Sequence, residues 1–225
     1  MRVAFGSMSS PSPANLRAFV RRHTRLVPVP DLPGVRLHLA DDVTTVWHAA
    51  GRELGLADPP LPYWAFAWSG GLAIARYLLD HPEEVAGRDV LDVGSGSGLC
   101  AIVALQCGAT SVDAIDVDPL AEAALAVNAR ANRVRIGFSR ADIAELSMVD
   151  ADVILAGDVS YEEPMAEGMM GWLRLAAAGH RRVLIGDPGR KYLPRDLDRL
   201  ATYRVRTSRE IEEADAKNSA VFTIG

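Results

Sequence analysis

A chain of 225 residues, 49% of them apolar, can bury one full core, and no run approaches the roughly 18 apolar residues of a membrane span. The formal charge of −5 argues against nucleic acid as a partner. Cys100 and Cys107 fall on one predicted helix about 10 Å apart along its axis, too far for a disulfide, and read as buried thiols of a reducing compartment. The five histidines are scattered without metal-ligand spacing, so no metal is expected.

In chain order, residues 1–13 are rich in Ser and Pro. The first thirty residues hold five arginines and no acid, a composition shared with mitochondrial transit segments. Leu16, Phe19, Val20 and His23 nevertheless form a helical stripe that continues into the body of the protein. The expectation is a cytoplasmic protein, and a mitochondrial matrix protein only if that segment is a leader. With no ligand motif in it, segment 1–30 is expected to be dispensable for cofactor binding. Pro28 to Pro33 make a stiff connector. Val35 to Leu39 alternates as a strand, and Val43 to Val46 reads as another. Residues 1–58 thus form an amino-terminal arm and helix, and 59–225 the main domain. The main domain opens on prolines and the run Tyr63-Trp64-Ala65-Phe66-Ala67-Trp68-Ser69-Gly70-Gly71. Tyr63, Trp64 and Phe66 fit either a core plug or a cavity wall. Trp68 abuts a helix over 72–80.

From Asp89 strand and helix alternate, the sign of a parallel sheet covered on both faces. Strands are expected at 89–93, 112–116, 134–138, 152–157 and 181–186, and helices at 98–107, 119–131 and 163–177. A short helix near 194–200 precedes two closing strands, Tyr203 to Arg209 and Ala220 to Ile224. The fold class is α/β: a Rossmann-like, doubly wound, mostly parallel seven-stranded sheet ending in an antiparallel hairpin.

The chemistry centres on Val90-Leu91-Asp92-Val93-Gly94-Ser95-Gly96-Ser97-Gly98. A buried strand ends at a glycine turn and a helix N-terminus, where backbone can approach a ligand closely. A dinucleotide fingerprint would need glycine where Leu99 stands. Eighteen residues after Gly98, Asp116 ends the second strand, and its carboxylate can accept hydrogen bonds from both ribose hydroxyls of a nucleoside. After the third strand, Asp142 and Ile143 can flank an adenine, although Asp142 equally suits a helix cap. The fourth strand ends Gly157-Asp158-Val159-Ser160-Tyr161, beside the switch point.

The glycine loop with its spaced acid resembles class I S-adenosylmethionine-dependent methyltransferases. The segments PYWAFAWSGG (62–71), RYLLDHPEEVAGRDVLDVGSGSG (76–98), GDVSY (157–161) and VLIGDPGR (183–190) resemble, more narrowly, the electron transfer flavoprotein β-subunit lysine methyltransferases. That resemblance implies S-adenosylmethionine as cofactor, bound by Trp68, Asp92, Gly94, Gly96, Gly98, Asp116, Asp142, Ile143 and Gly157. It implies that Asp158 and Tyr161, an Asp-x-x-Tyr pair, serve an incoming lysine of a protein substrate, with no nucleic acid, no membrane and a monomeric enzyme. The alternatives are methylation of a nicotinamide-like small amine or of a ribosomal protein, and a cofactor-binding module without catalysis. The nucleophile is a neutral amine, and a free lysine is only ~0.04% neutral at pH 7, a cost of about 4.6 kcal/mol. An apolar channel formed by Tyr63 to Trp68 and Tyr161 would lower the lysine pKa, whereas a nearby carboxylate would raise it. Asp158 is therefore expected to orient the amine rather than to act as a strong base. Residues 41–225 carry −10, which suits a basic recognition loop on the substrate.

Overall fold

In the computed structural model the described residues are 11–56, 58–143, 146–147, 150–207 and 214–225. A seven-stranded sheet carries the fold. Its strands are β3 (Asp89–Val93), β4 (Ser111–Asp116), β5 (Gly137–Arg140), β6 (Val153–Gly157), β7 (Arg182–Asp187), β8 (Asp198–Arg206) and β9 (Ala216–Thr223). Their order across the sheet is β5-β4-β3-β6-β7-β9-β8, with β9 antiparallel to both of its neighbours. β3, β6 and β7 are buried along nearly their whole length because helices cover both faces of a parallel sheet. From β3 the strand order runs outward through β4 and β5 on one side and through β6 and β7 on the other, so β3 and β6 flank the switch point at which ligands bind such sheets.

The helices of the sheet are α3 (Ser69–Asp80), α4 (Leu99–Gln106), α5 (Pro119–Ala131) and α6 (Glu163–Ala178). Pro119 sits in the first turn of α5, and Asp118 caps it by accepting from Leu120 N at 2.8 Å. The N-terminus of α3 packs directly on the ends of β6 and β7. A Cβ on Gly70 would lie 2.1 Å from the Gly186 carbonyl oxygen, and one on Gly157 would lie 3.0 Å from Gly71 Cα. Only glycine admits that approach.

Before the sheet come α1 (Pro13–His23), the antiparallel pair β1 (Arg25–Pro28) and β2 (Arg36–Leu39), and α2 (Val43–Leu54). The stripe on α1 is real: Leu16, Phe19 and Val20 are buried with Trp64, Phe66 and the face of α5 formed by Leu120, Ala124 and Val127. Two asparagines one turn apart on α5 fasten β2. Asn128 Oδ1 accepts from His38 N at 2.7 Å, and Asn132 exchanges hydrogen bonds with the backbone of Arg36. Asn128 is fully buried, and its Nδ2 donates to the Ser97 carbonyl in the glycine loop at 2.9 Å. The arm therefore abuts the ligand loop through a single side chain. No described helix is long and apolar enough to cross a membrane.

Three expectations are corrected. Val43 to Val46 is not a strand but the first turn of α2. Asp42 caps that helix, Val46, Ala49 and Ala50 bury one helical face, and Gly55 ends it at φ 68°. No helix forms over 194–200, because Asp198 already pairs with Thr223 and the backbone from there joins the β8–β9 ladder. The third strand begins at Gly137 rather than at 134, since Val134 N still bonds back to the Ala129 carbonyl at the end of α5. The expected end of the penultimate strand, residues 208–209, lies outside the described residues.

Candidate active site

Above the carboxyl ends of β3, β4 and β6 lies a cleft of about 590 Å³, within the range typical of small-molecule sites. Trp68, Gly94, Gly96, Asp116, Asp142, Ile143, Gly157, Asp158 and Tyr161 all line it. Asp92 and Gly98 do not. Asp92 is 2% exposed behind the glycine loop, where it accepts from Ala101 N at 3.1 Å. Gly98 sits at the N-cap of α4 at φ 78°, with Leu125 packed where its Cβ would be. Both hold the loop in shape from beneath. Gly94 and Gly96 present backbone to the cleft at φ 64° and 49°, values that a side chain would strain.

Asp116 reaches from β4 to the loop. Its Oδ2 accepts from Gly96 N at 2.9 Å and its Oδ1 from Asp118 N at 3.0 Å. With Val117 N as a further backbone donor, three of its four lone pairs are engaged and the carboxylate keeps capacity for a ligand hydroxyl. Burial raises its pKa above the ordinary carboxylate value and pushes the neighbouring Asp118 up to about 6. Asp92, more deeply buried, is pushed up to about 7.

The aromatic run divides between core and wall. Trp64 and Phe66 are buried, Trp64 along the floor of the cleft, while Tyr63 faces the ligand space. Trp68 Nε1 donates to the Tyr63 carbonyl at 2.8 Å, which locks the turn between them. The Tyr63 ring lies 4.9 Å from that of Tyr161. Burial pushes the Tyr161 hydroxyl up to about 12, so it stays protonated at neutral pH.

Asp158 adopts φ 60°, a left-handed conformation that Asp tolerates better than most residues. This turn aims its carboxylate at the N-terminus of α3, where Oδ2 accepts from Gly71 N at 2.8 Å. Oδ1 accepts from Arg190 Nη1. Burial pushes its pKa up to about 6, even with the guanidinium and the two glycine N–H groups opposing the shift. Arg190 and Lys217 are cleft residues that no motif reading assigned. Arg190 ends the segment VLIGDPGR, so the sequence signal was there. Lys217 carried none.

Comparisons with known proteins agree with this geometry. A family model described as ribosomal protein L11 methyltransferase (PrmA) matches residues 75–158. The electron transfer flavoprotein beta subunit lysine methyltransferase of Danio rerio is 37% identical over 222 residues, covering 95% of this chain and 85% of the relative. Its counterpart from Homo sapiens is 34% identical over 215 residues, covering 92% and 81%. The chain belongs to this family of lysine methyltransferases. The fold has a solved counterpart in a ribosomal protein L11 methylase from Lactobacillus delbrueckii subsp. bulgaricus, at TM-score 0.50 and 20% identity over 70% of this chain and 79% of that one. The enzyme is an S-adenosylmethionine-dependent methyltransferase, and its cleft fits that cofactor. Gly94 and Gly96 present bare backbone to the cleft and Asp116 a carboxylate, a donor and acceptor set suited to a nucleoside.

Proposed function

We propose that this enzyme methylates lysine side chains of the electron transfer flavoprotein β subunit. One observation carries the site assignment: the cleft has two unlike ends on either side of the glycine loop. At the β4 end, Asp116 would accept from the ribose hydroxyls, Gly94 and Gly96 would pass close to the cofactor, and Asp142 and Ile143 would flank the adenine. At the β6 end, Asp158 and Tyr161 would receive the amine between the aromatic faces of Tyr63 and Tyr161. S-adenosylmethionine, when bound, would supply a sulfonium methyl group to the lone pair of a neutral amine, with the thioether as leaving group and the amine proton passing to solvent. The protein's part is alignment and exclusion of water around a neutral amine. The protein substrate is supported by the names of relatives that match the chain from end to end.

The ribosomal-protein alternative has less behind it. The L11 methyltransferase family model matches residues 75–158 alone, whereas the flavoprotein methyltransferase relatives match 92–95% of the chain. Incubating the protein with labelled S-adenosylmethionine and purified electron transfer flavoprotein, followed by mass spectrometry of the β subunit, tests the proposal. Label on β-subunit lysines is the expected result.

A further inference from the structure

The carboxyl end of β7 and the turn that follows it are built to deliver one side chain. Gly186 is required there, because a Cβ would lie 2.1 Å from the Gly70 carbonyl oxygen. Asp187, 1% exposed, accepts from the backbone N of Gly189 and of Arg190, both at 2.7 Å, and from Ser160 Oγ. Gly189 turns the chain at φ 90°. The turn sets the Arg190 guanidinium between two carboxylates: Nη1 donates to Asp158 Oδ1 and lies 3.5 Å from Asp187 Oδ2. The Arg190 and Asp158 side chains are only 18% and 9% exposed.

A bare carboxylate at Asp158 would oppose the reaction. It would favour the ammonium form of an incoming lysine, whereas only the neutral amine has a lone pair to give. Resting on the lysine-methylation reading above, we propose that Arg190, anchored by Asp187, is the countercharge that lets Asp158 accept a hydrogen bond from the substrate amine without holding it as an ammonium. Asp158 has the capacity, since its two oxygens offer four lone pairs and three protein donors, Arg190 and the N–H groups of Gly70 and Gly71, act on them. The guanidinium keeps its charge at every working pH. With Arg190 in place the cluster of Asp158, Asp187 and Arg190 carries one net negative charge rather than two, so an amine docking on Asp158 is held less firmly as an ammonium and desolvation favours its neutral form more. Arg190 is thus a positioning residue that acts through Asp158.

Of the other ionisable groups around the pair, Asp187 and Glu162 add negative charge, Glu162 through its effect on Tyr63 and Tyr161, and none supplies the positive charge of Arg190 at Asp158. Tyr161 is pushed up to about 12, and burial also raises Tyr63 and lifts Cys100, beneath the α3 turn, well above its ordinary value. Asp116 stands at the far end of the cleft, across the glycine loop. Lys217, on β9, is the other cation lining the cleft among the described residues, so it needs its own control.

The test is kcat and KM against pH, from 6 to 9.5, on purified electron transfer flavoprotein with saturating S-adenosylmethionine. Arg190→Gln should lower kcat about tenfold at pH 7 and less than about threefold at pH 9.5, as the pH at which the Asp158–amine pair sheds its last proton rises by about one unit. KM should stay level or fall, and flavoprotein binding at pH 7 should be as tight as wild type or tighter, because an ammonium is then held more firmly. Arg190→Lys, which keeps the charge, should follow the wild-type profile near neutrality. It also carries the test if the glutamine variant does not fold. A loss in Arg190→Gln that is uniform in pH, with cofactor affinity intact, would overturn the inference. So would an Arg190→Lys variant as impaired at pH 7 as Arg190→Gln, or an equal pH shift in Lys217→Gln. A wild-type enzyme that leaves the flavoprotein lysines untouched would overturn the substrate reading and this inference together, a different signature from an active wild type with an unshifted variant.

Discussion

The Asp116 carboxylate at the end of β4 accepts from Gly96 N across the mouth of β3, so one side chain both shapes the glycine loop and faces the ligand. Replacing it with alanine removes the acceptor proposed for the ribose hydroxyls and the hydrogen bond to the loop. Asp116→Ala should weaken S-adenosylmethionine binding by about 1–3 kcal/mol, roughly 5- to 150-fold in Kd by calorimetry. An unchanged Kd would place the nucleoside elsewhere.

At the other end of the cleft, Asp158→Asn is the cleanest substitution, because asparagine tolerates φ 60° and can still accept from Gly71 N. Cofactor affinity should stay within about threefold of wild type while methyl transfer falls about a hundredfold, since the amine is no longer aligned. Tyr161→Phe should act in the same direction but more weakly. If binding and turnover fell in parallel, both residues would be props of the fold.

The three acids pushed up by burial, Asp92 to about 7 and Asp118 and Asp158 to about 6, make stability depend on pH. Each has a folded pKa above its unfolded value. Its contribution is therefore fully present below about pH 4 and is lost as pH rises through 6 and 7. Asp92→Asn keeps an acceptor for Ala101 N and escapes the cost of ionisation. Its melting temperature relative to wild type, measured without ligand, should rise from pH 4 to pH 7 and then level off. A flat difference would show that Asp92 stays ionised throughout.

The arm is energetically part of the core. Phe19 is fully buried, 6.5 Å ring to ring from Trp64, the residue under the cleft. Phe19→Ala should lower unfolding stability by about 3–5 kcal/mol in urea. Removing residues 1–30 would strip the buried face of α1 from α5 and Trp64, so the expectation that this segment is dispensable for cofactor binding meets a physical obstacle. Binding measured on a chain beginning near Pro33 decides the matter.

Much of this was legible in the residues, and the limits are instructive. The central strands announce themselves because a parallel sheet buried on both faces writes continuous apolar runs, as in Val153 to Ala156. The ligand-facing acids are legible because Asp116 and Asp158 end such runs, where the fold opens. Val43 to Val46 misleads because four residues of β-branched pattern look like a strand, while the helix is set by Asp42, Gly55 and a face that emerges only over twelve residues. The start of β8 is written in its partner β9, not in residues 194–200 themselves. Arg190 stood in a legible segment, VLIGDPGR, but its place in the cleft did not show there. Its position depends on the backbone turn that Asp187 and Gly189 impose, which spacing alone does not reveal.

The central claim, lysine methylation of a folded protein, is tested most directly by running two reactions side by side: labelled S-adenosylmethionine with purified electron transfer flavoprotein across a salt series, and with free nicotinamide. The account predicts label on lysines of the β subunit, and none on nicotinamide. It also predicts that transfer weakens as salt screens the −10 charge of residues 41–225 beyond a Debye length of ~8 Å. Robust turnover of nicotinamide with an unlabelled flavoprotein would contradict it.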